Sequence, residues 1–237
     1  MLASSRRLGL LAAHWRGPAV APRLTTVRSA STGAPRSVQI GDVAVPLKPP
    51  AAGDRPELIP MAPSLRGTAW VDTEPALESL QWMMKKLLLR QDVFLLGSHP
   101  AHLRQLAFRF AEVVQREVEF VSISRDTTES DLKQRREIVR EGSAGASVPY
   151  ANQPVVEAAL HGRLLVIEGL EKAERNLLPI INNLLENREM ALEDGGFLMH
   201  PDRYDSLLRE GSSPAELSRR APRHHSTLAA CVHAAPR

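Results

Sequence analysis

Apolar positions recur at two periods between residues 74 and 199, and their succession predicts alternating helices and strands. Leu77, Leu80, Met84, Leu87 and Leu88 follow Glu74 at helical spacing, with Pro75 suited to a first helical turn. Val93-Phe94-Leu95-Leu96 is a short apolar run that stops at Gly97, the pattern of a strand. Leu103, Leu106, Ala107, Phe110, Val113 and Val114 give one apolar side to a helix over 101–116, and 118–123 reads as a second strand. The acceptor-x-x-Glu spacing of Asp126-Thr127-Thr128-Glu129 predicts a helix start, with a polar helix over 130–139. Residues 141–150, with Gly142 and Gly145, read as a loop. A short helix over 154–160 stops at Gly162, and 164–167 is the third strand. A helix follows over 174–187, with Pro179 bending it near its start. Residues 190–192 and 197–199 read as a hairpin turning on Asp194-Gly195-Gly196. Strands alternating with helices at these separations predict an α/β fold, a parallel sheet flanked by helices.

The ends lack this periodicity. Residues 1–36 hold six Arg, no Lys and no acid, and the first acidic residue is Asp42. Arg6, Arg7 and Arg16 interleave with Leu2, Leu8, Leu10, Leu11 and Trp15, and Ser and Thr are frequent. This is the composition of a mitochondrial transit peptide. Residues 1–35 are therefore expected to direct the chain to the mitochondrion, on the matrix side, with cleavage near Arg28-Ser29-Ala30. A secretory signal fits less well, because the apolar run over 8–13 is short and arginine follows it. Residues 36–73 read as a Pro-rich extended arm, since Pro46, Pro49, Pro50, Pro56, Pro60 and Pro63 exclude a helix. The core is expected over 74–210. Residues 211–237 are small, basic and Pro-containing, and predict a disordered tail. His224, His225, Cys231 and His233 lie there with no predicted strand or turn to hold a tetrahedral metal site.

Charge and composition narrow the function. The chain's 237 residues allow one ordinary domain plus extensions. Its single cysteine, Cys231, excludes an intrachain disulfide framework. The pI of about 9.3 suggests a nucleic-acid binder, but residues 37–210 hold 20 basic and 26 acidic side chains. The basicity sits in the ends, so the body lacks the electrostatic footprint for nucleic acid. No stretch approaches the ~18 apolar residues of a membrane span.

The candidate chemistry lies at two strand ends. The run over 164–167 ends in Glu168, and a buried strand that delivers a carboxylate to its C-terminal edge places an acid beside Mg²⁺ and phosphate in nucleoside triphosphatases. The strand over 93–96 leads into Gly97-Ser98-His99-Pro100-Ala101-His102-Leu103-Arg104 and then a helix. That is the location of a phosphate-binding loop of the form G-x-x-x-x-G-K-[ST]. His102 stands at the second glycine, Leu103 at the lysine and Arg104 at the hydroxyl, while Pro100 removes one N–H donor. At the other end, the Asp-Glu pair that holds Mg²⁺ and positions water is replaced by Glu168-Gly169. Glu171 is the nearest spare carboxylate. Most strand–Gly–helix junctions are ordinary turns, and surface acids at a strand end are common.

The longer segments carry a resemblance. L-L-V-I-E-G-L-E-K-A-E-R-N-L-L-P-I-I-N-N-L-L-E-N-R-E-M-A-L-E-D-G-G-F, residues 164–197, resembles the core of the MoxR and dynein-related branch of AAA+ ATPases. There a strand–D-E-[IL]-x-[KR]-A motif precedes a helix ending in L-L-[ED]-x-[RG]-E and a hairpin. S-R-D-T-T-E-S-D-L-K-Q-R-R-E-I, residues 124–138, resembles the T-T-E-x-D-L-x-G-R-x-E segment of the same branch. The resemblance implies a P-loop α/β fold of AAA+ type, with ATP and Mg²⁺ as cofactors. It implies ATP hydrolysis coupled to remodelling of a protein partner, and assembly into a homo-oligomeric ring in a longer protein. It places the phosphates on Gly97, Ser98, His99 and Arg104 and Mg²⁺ on Glu168, with Glu168 and Glu171 as the candidate catalytic acids. The family core also needs a strand bearing sensor 1 after the hairpin, then an arginine finger and a helical lid. None is expected after residue 199, so the fold is expected to be incomplete and the chain a truncated form. The alternative function is a degenerate, nucleotide-independent scaffold or regulatory module.

Overall fold

The computed structural model describes residues 24–27, 36–49, 54–60, 70–140, 146–222 and 229–234. Three strands come first: β1 (Leu24–Val27), β2 (Ser37–Ile40) and β3 (Val43–Pro46). The central unit opens with α1 (Glu74–Leu88), β4 (Val93–Gly97), α2 (Pro100–Val113), β5 (Val118–Ser122) and α3 (Glu129–Leu132). Short strands β6 (Gln134–Arg136), β7 (Val139–Arg140), β8 (Ala146–Ser147) and β9 (Tyr150–Asn152) follow. Next come α4 (Pro154–His161), β10 (Leu164–Glu168) and α5 (Leu177–Glu186). The chain then forms β11 (Met190–Ala191), β12 (Phe197–Leu198), α6 (Pro201–Arg209), α7 (Pro214–Arg220) and β13 (Ala229–Ala234).

The main sheet is parallel, in the order β4-β13-β10-β5. Helices cover both faces at β10, which explains why all four of Leu164, Leu165, Val166 and Ile167 are buried. On one face Val93, Leu95, Leu164 and Val166 pack with Leu80, Met83 and Met84 of α1 and Leu106, Ala107 and Phe110 of α2. On the other, Leu165, Ile167, Val121 and Ile123 pack with Val155 and Val156 of α4 and Leu177, Ile181 and Leu184 of α5. The α/β class and the three expected strands are therefore present. So is the hairpin turning on Asp194-Gly195, with β11 against β12 and Gly195 at φ +85°. Gly162 ends α4 in the left-handed conformation, as its position implies.

Several expectations are corrected. The tail over 211–237 carries α7 and β13, and β13 fills the centre of the sheet rather than trailing from it. Ala229–Ala234 pairs with β4 on one side and β10 on the other. β13 adds one strand after the hairpin to a fold that is otherwise the expected incomplete one. Residues 223–228, with His224 and His225, lie outside the described residues.

The Pro-rich arm is not extended at its start. β2 and β3 form a hairpin whose Val38, Ile40, Val43 and Val45 are buried in the α1–α2 core. β1 pairs antiparallel with β2 and lies inside the expected leader, whose other residues, 1–23 and 28–35, are outside the described ones. The polar helix over 130–139 stops at Leu132, because Gln134–Arg136 turns to pair with β9. The buried Gln134 amide draws it there, donating to Asn152 Oδ1 (2.9 Å) and Asp194 Oδ2 (3.1 Å). The cap of α3 is Thr128 with Asp131, not Asp126 with Glu129. The expected loop over 141–150 is partly strand, since β8 pairs with β7 and Tyr150 begins β9. Helix α5 begins at Leu177 with Pro179 in its first turn, so the proline starts the helix instead of bending it.

Candidate nucleotide site at the C-terminal edge of the sheet

Parallel pairing brings the C-terminal ends of β4, β13, β10 and β5 to one edge, where open α/β sheets bind ligands. Gly97 ends β4 in register with Ala234, while Glu168 ends β10 in register with Val232 and Ser122. Ser98 and His99 form the exposed link to α2, and His99 caps the helix without a side-chain bond. The first-turn N–H groups of His102 and Leu103 both turn back to the His99 carbonyl, at 3.0 and 3.2 Å. Leu103, at the lysine position, covers the strand end: a Cβ at Gly97 would meet both its methyl carbons at 3.4 Å.

One turn on, Arg104 crosses to β10. Its Nη1 donates to Glu168 Oε2 at 2.8 Å, with the Glu168 side chain 15% exposed and that of Arg104 40% exposed. The structure thus joins the candidate phosphate ligand and the candidate metal ligand into one ion pair. Gly169 follows at φ +81°, where a Cβ would lie 2.7 Å from the Ile123 carbonyl oxygen. Ile123 N–H also donates to the Glu168 carbonyl at 2.8 Å, so this crossing is close on both sides. Glu171 is exposed on the 3₁₀ turn Leu170–Lys172.

The donor set as it stands does not suit Mg²⁺, which requires oxygen ligands in a tight octahedral shell. The hydroxyl position is a guanidinium, the strand-end carboxylate is engaged by it, and the neighbouring position has no side chain. Among the described residues no group of three or more His, Cys, Asp or Glu is arranged to hold a metal ion.

Sequence reasoning missed the strap beside α2. Trp70 stacks on His102 with ring centroids 5.3 Å apart and planes 18° from parallel. Trp70 Nε1 donates to Asp72 Oδ1 (2.8 Å), and Arg109 Nε donates to the same oxygen (3.0 Å). Burial disfavours the Arg109 charge, but Asp72 and Glu112 outweigh burial and raise its pKa. The only sequence signal was an aromatic–acid pair just before a helix, which points to no partner 30 residues away.

A family model, the AAA domain of the dynein-related subfamily, matches residues 92–230. That span runs from the residue before β4 into β13, and the chain belongs to this family, whose domains bind nucleotide. The chain is also 50% identical over 187 residues to von Willebrand factor A domain-containing protein 8 of Mus musculus. The match covers 78% of this chain and 9% of that relative's length. No helix among the described residues is long and apolar enough to cross a membrane.

Proposed function

We propose that this chain is a nucleotide-binding AAA+ module that takes ATP at the edge formed by Gly97, Ser98, His99, Arg104 and Glu168. The observation that carries the reading is the β4–loop–α2 turn opposite the carboxylate at the end of β10, in a chain of the dynein-related AAA family. Phosphates would meet the backbone of the loop and the Arg104 guanidinium. Hydrolysis, remodelling of a protein partner and ring assembly are assigned to the longer protein of which such a module is part. In this chain Gly169 offers no group to orient a water, and Glu171 is the remaining acid nearby in sequence.

The test is a titration of the whole chain with a fluorescent ATP analogue, alongside thermal melting. Saturable binding and a raised melting temperature are expected. A melt that millimolar nucleotide leaves unchanged favours a second reading, a nucleotide-independent scaffold within an assembly. Two observations support that alternative: Leu103 fills the lysine position, and the Arg104–Glu168 pair already neutralises itself.

A mitochondrial location is part of the proposal, supported by the acid-free, Arg-rich residues 1–35. Fusing those residues to a fluorescent reporter tests it, since a diffuse cytosolic signal would remove the support.

A further inference from the structure

We propose that the Arg104 guanidinium stands in for the divalent cation at this edge, so that a nucleoside triphosphate is held here without Mg²⁺. The inference rests on the nucleotide-binding reading and concerns how that site recognises charge.

Three positions govern a cation between the first turn of α2 and the end of β10. Arg104 replaces the hydroxyl, Gly169 replaces the second acid, and Glu168 is the single carboxylate left. Mg²⁺ gives up its waters reluctantly and needs several oxygen ligands, so one carboxylate is a poor host. That carboxylate is also taken, with Arg104 Nη1 2.8 Å from Glu168 Oε2. An entering ion would face a like charge fixed beside its only ligand. Gly169 blocks the remaining route: any side chain there would strike the Ile123 carbonyl.

The same geometry suits a phosphate. Between Gly97 and Arg104 the only Lys or Arg side chain is Arg104, since Leu103 stands at the lysine position. Its one side-chain hydrogen bond among the described residues is to Glu168, made through Nη1. Nε and Nη2 are left as donors for phosphate oxygens, and planar paired donation is what guanidinium offers such a group. The exposures agree. Glu168 is the more buried anchor and Arg104 the more open head, so the cation is held from the protein side and presented to solvent. The carboxylate orients the guanidinium, as it would otherwise orient a metal.

The experiment measures the affinity of the whole chain for a fluorescent ATP analogue in EDTA and in excess Mg²⁺. Equal dissociation constants, within about twofold, are expected. Arg104→Ala should weaken binding in EDTA by roughly tenfold or more, as expected for loss of a charge-assisted contact. Mg²⁺ should then recover part of the loss, because Glu168 is released. Arg104→Lys should retain more affinity than the alanine variant, and a thermal melt of each variant confirms that it folds. Wild-type binding that tightens about tenfold or more with Mg²⁺ overturns the inference while leaving nucleotide binding intact. So does Arg104→Ala binding as tightly as wild type in EDTA. No saturable binding in either buffer overturns the nucleotide reading itself.

Discussion

Gly169 lies against Ile123 so closely that a Cβ on the glycine would sit 2.7 Å from the Ile123 carbonyl oxygen. The obstruction is backbone, which cannot rotate away as a side-chain tip would. Gly169 is also held at φ +81°, a conformation that costs other residues roughly 1–2 kcal/mol. The acid missing beside Glu168 is therefore excluded by the crossing of β10 and the segment after β5. Gly169→Glu is expected to lower unfolding free energy by about 2 kcal/mol or more in urea titrations, combining strain and displacement. It should add no ATP turnover. A variant as stable as wild type would show that this crossing relaxes freely.

Arg163 organises the opposite end of β10. It is 4% exposed and donates from Nε to Glu117 (2.7 Å) and from Nη1 to Glu119 (2.7 Å) and Glu157 (3.4 Å). Glu117 also accepts the Arg55 backbone N–H at 2.5 Å, tying the segment ahead of α1 to the sheet. Glu157 accepts from Asn152, whose amide oxygen accepts from Gln134, so the chain of bonds reaches the β11–β12 turn. Burial works against the Arg163 charge, yet Glu117 and Glu119 overcome it and raise its pKa. Glu119 fares differently. Its own burial, with some repulsion from Glu157, outweighs the Arg163 bond and raises its pKa.

Arg163→Met leaves three carboxylates without their shared cation and is expected to cost about 3 kcal/mol at neutral pH. The sign with pH follows from Glu119. A carboxyl whose folded pKa is raised opposes folding when ionised, and that opposition fades as pH falls through the folded value. The penalty of Arg163→Met should therefore shrink in mildly acidic buffer. Urea midpoints of wild type and variant at both pH values check this, and a penalty that grows on acidification would contradict it.

How far the sequence displayed this molecule differs from element to element. The run at Leu164 was legible because a strand buried on both faces is a continuous apolar stretch, and the run at Val93 is equally apolar although Phe94 and Leu96 are exposed. Helix α1 was legible from period alone. β13 was not, since Ala229-Ala230-Cys231-Val232-His233-Ala234 has little of the β-branched or aromatic content that marks a strand. Its place comes from Val166 and Val93, the partners of Ala230, which no local window contains. α3 was over-extended because Glu129–Val139 favours helix locally while Gln134 is claimed by Asn152 and Asp194. At the site, the positions of Gly97, Arg104 and Glu168 could be inferred from spacing. Their pairing could not, because it depends on which turn of α2 faces β10.

The central place of β13 makes a sharp prediction about a segment that composition marks as tail. Ala230 is in register with Val93 and with Val166, so its backbone lies between two parallel partners. Proline there removes a donor and forces its ring into a ladder, a substitution that sheets tolerate only at edges or bulges. Ala230→Pro should cost about 3 kcal/mol or more and broaden or abolish the cooperative melt. Ser213→Pro, just ahead of α7 where φ is already −66°, serves as the comparison and should change stability far less. Equal melts for the two variants would remove β13 from the folded sheet.

The cap of α3 supplies a pH-dependent test that is independent of the nucleotide edge. Asp131 Oδ2 accepts from the Thr128 backbone N–H (2.9 Å) and from its hydroxyl (2.8 Å). Those bonds, the backbone one first, hold the Asp131 carboxyl below its ordinary value of 3.8, and Arg135 adds to them. A depressed folded pKa means the ionised cap favours the native state. Its contribution is complete above the ordinary value and is lost as pH falls through the lower folded one. Asp131→Asn removes that titration and weakens the capping box, with an expected cost on the order of 1 kcal/mol near neutral pH. The wild-type advantage in urea midpoint should therefore be present at neutral pH and decline as pH falls from the ordinary value of 3.8 through the lower folded one. Other carboxyl groups titrate in both proteins and cancel in the difference. An advantage that stays constant from neutral pH to pH 2 would mean that the Thr128–Asp131 bonds do not set the charge of this residue.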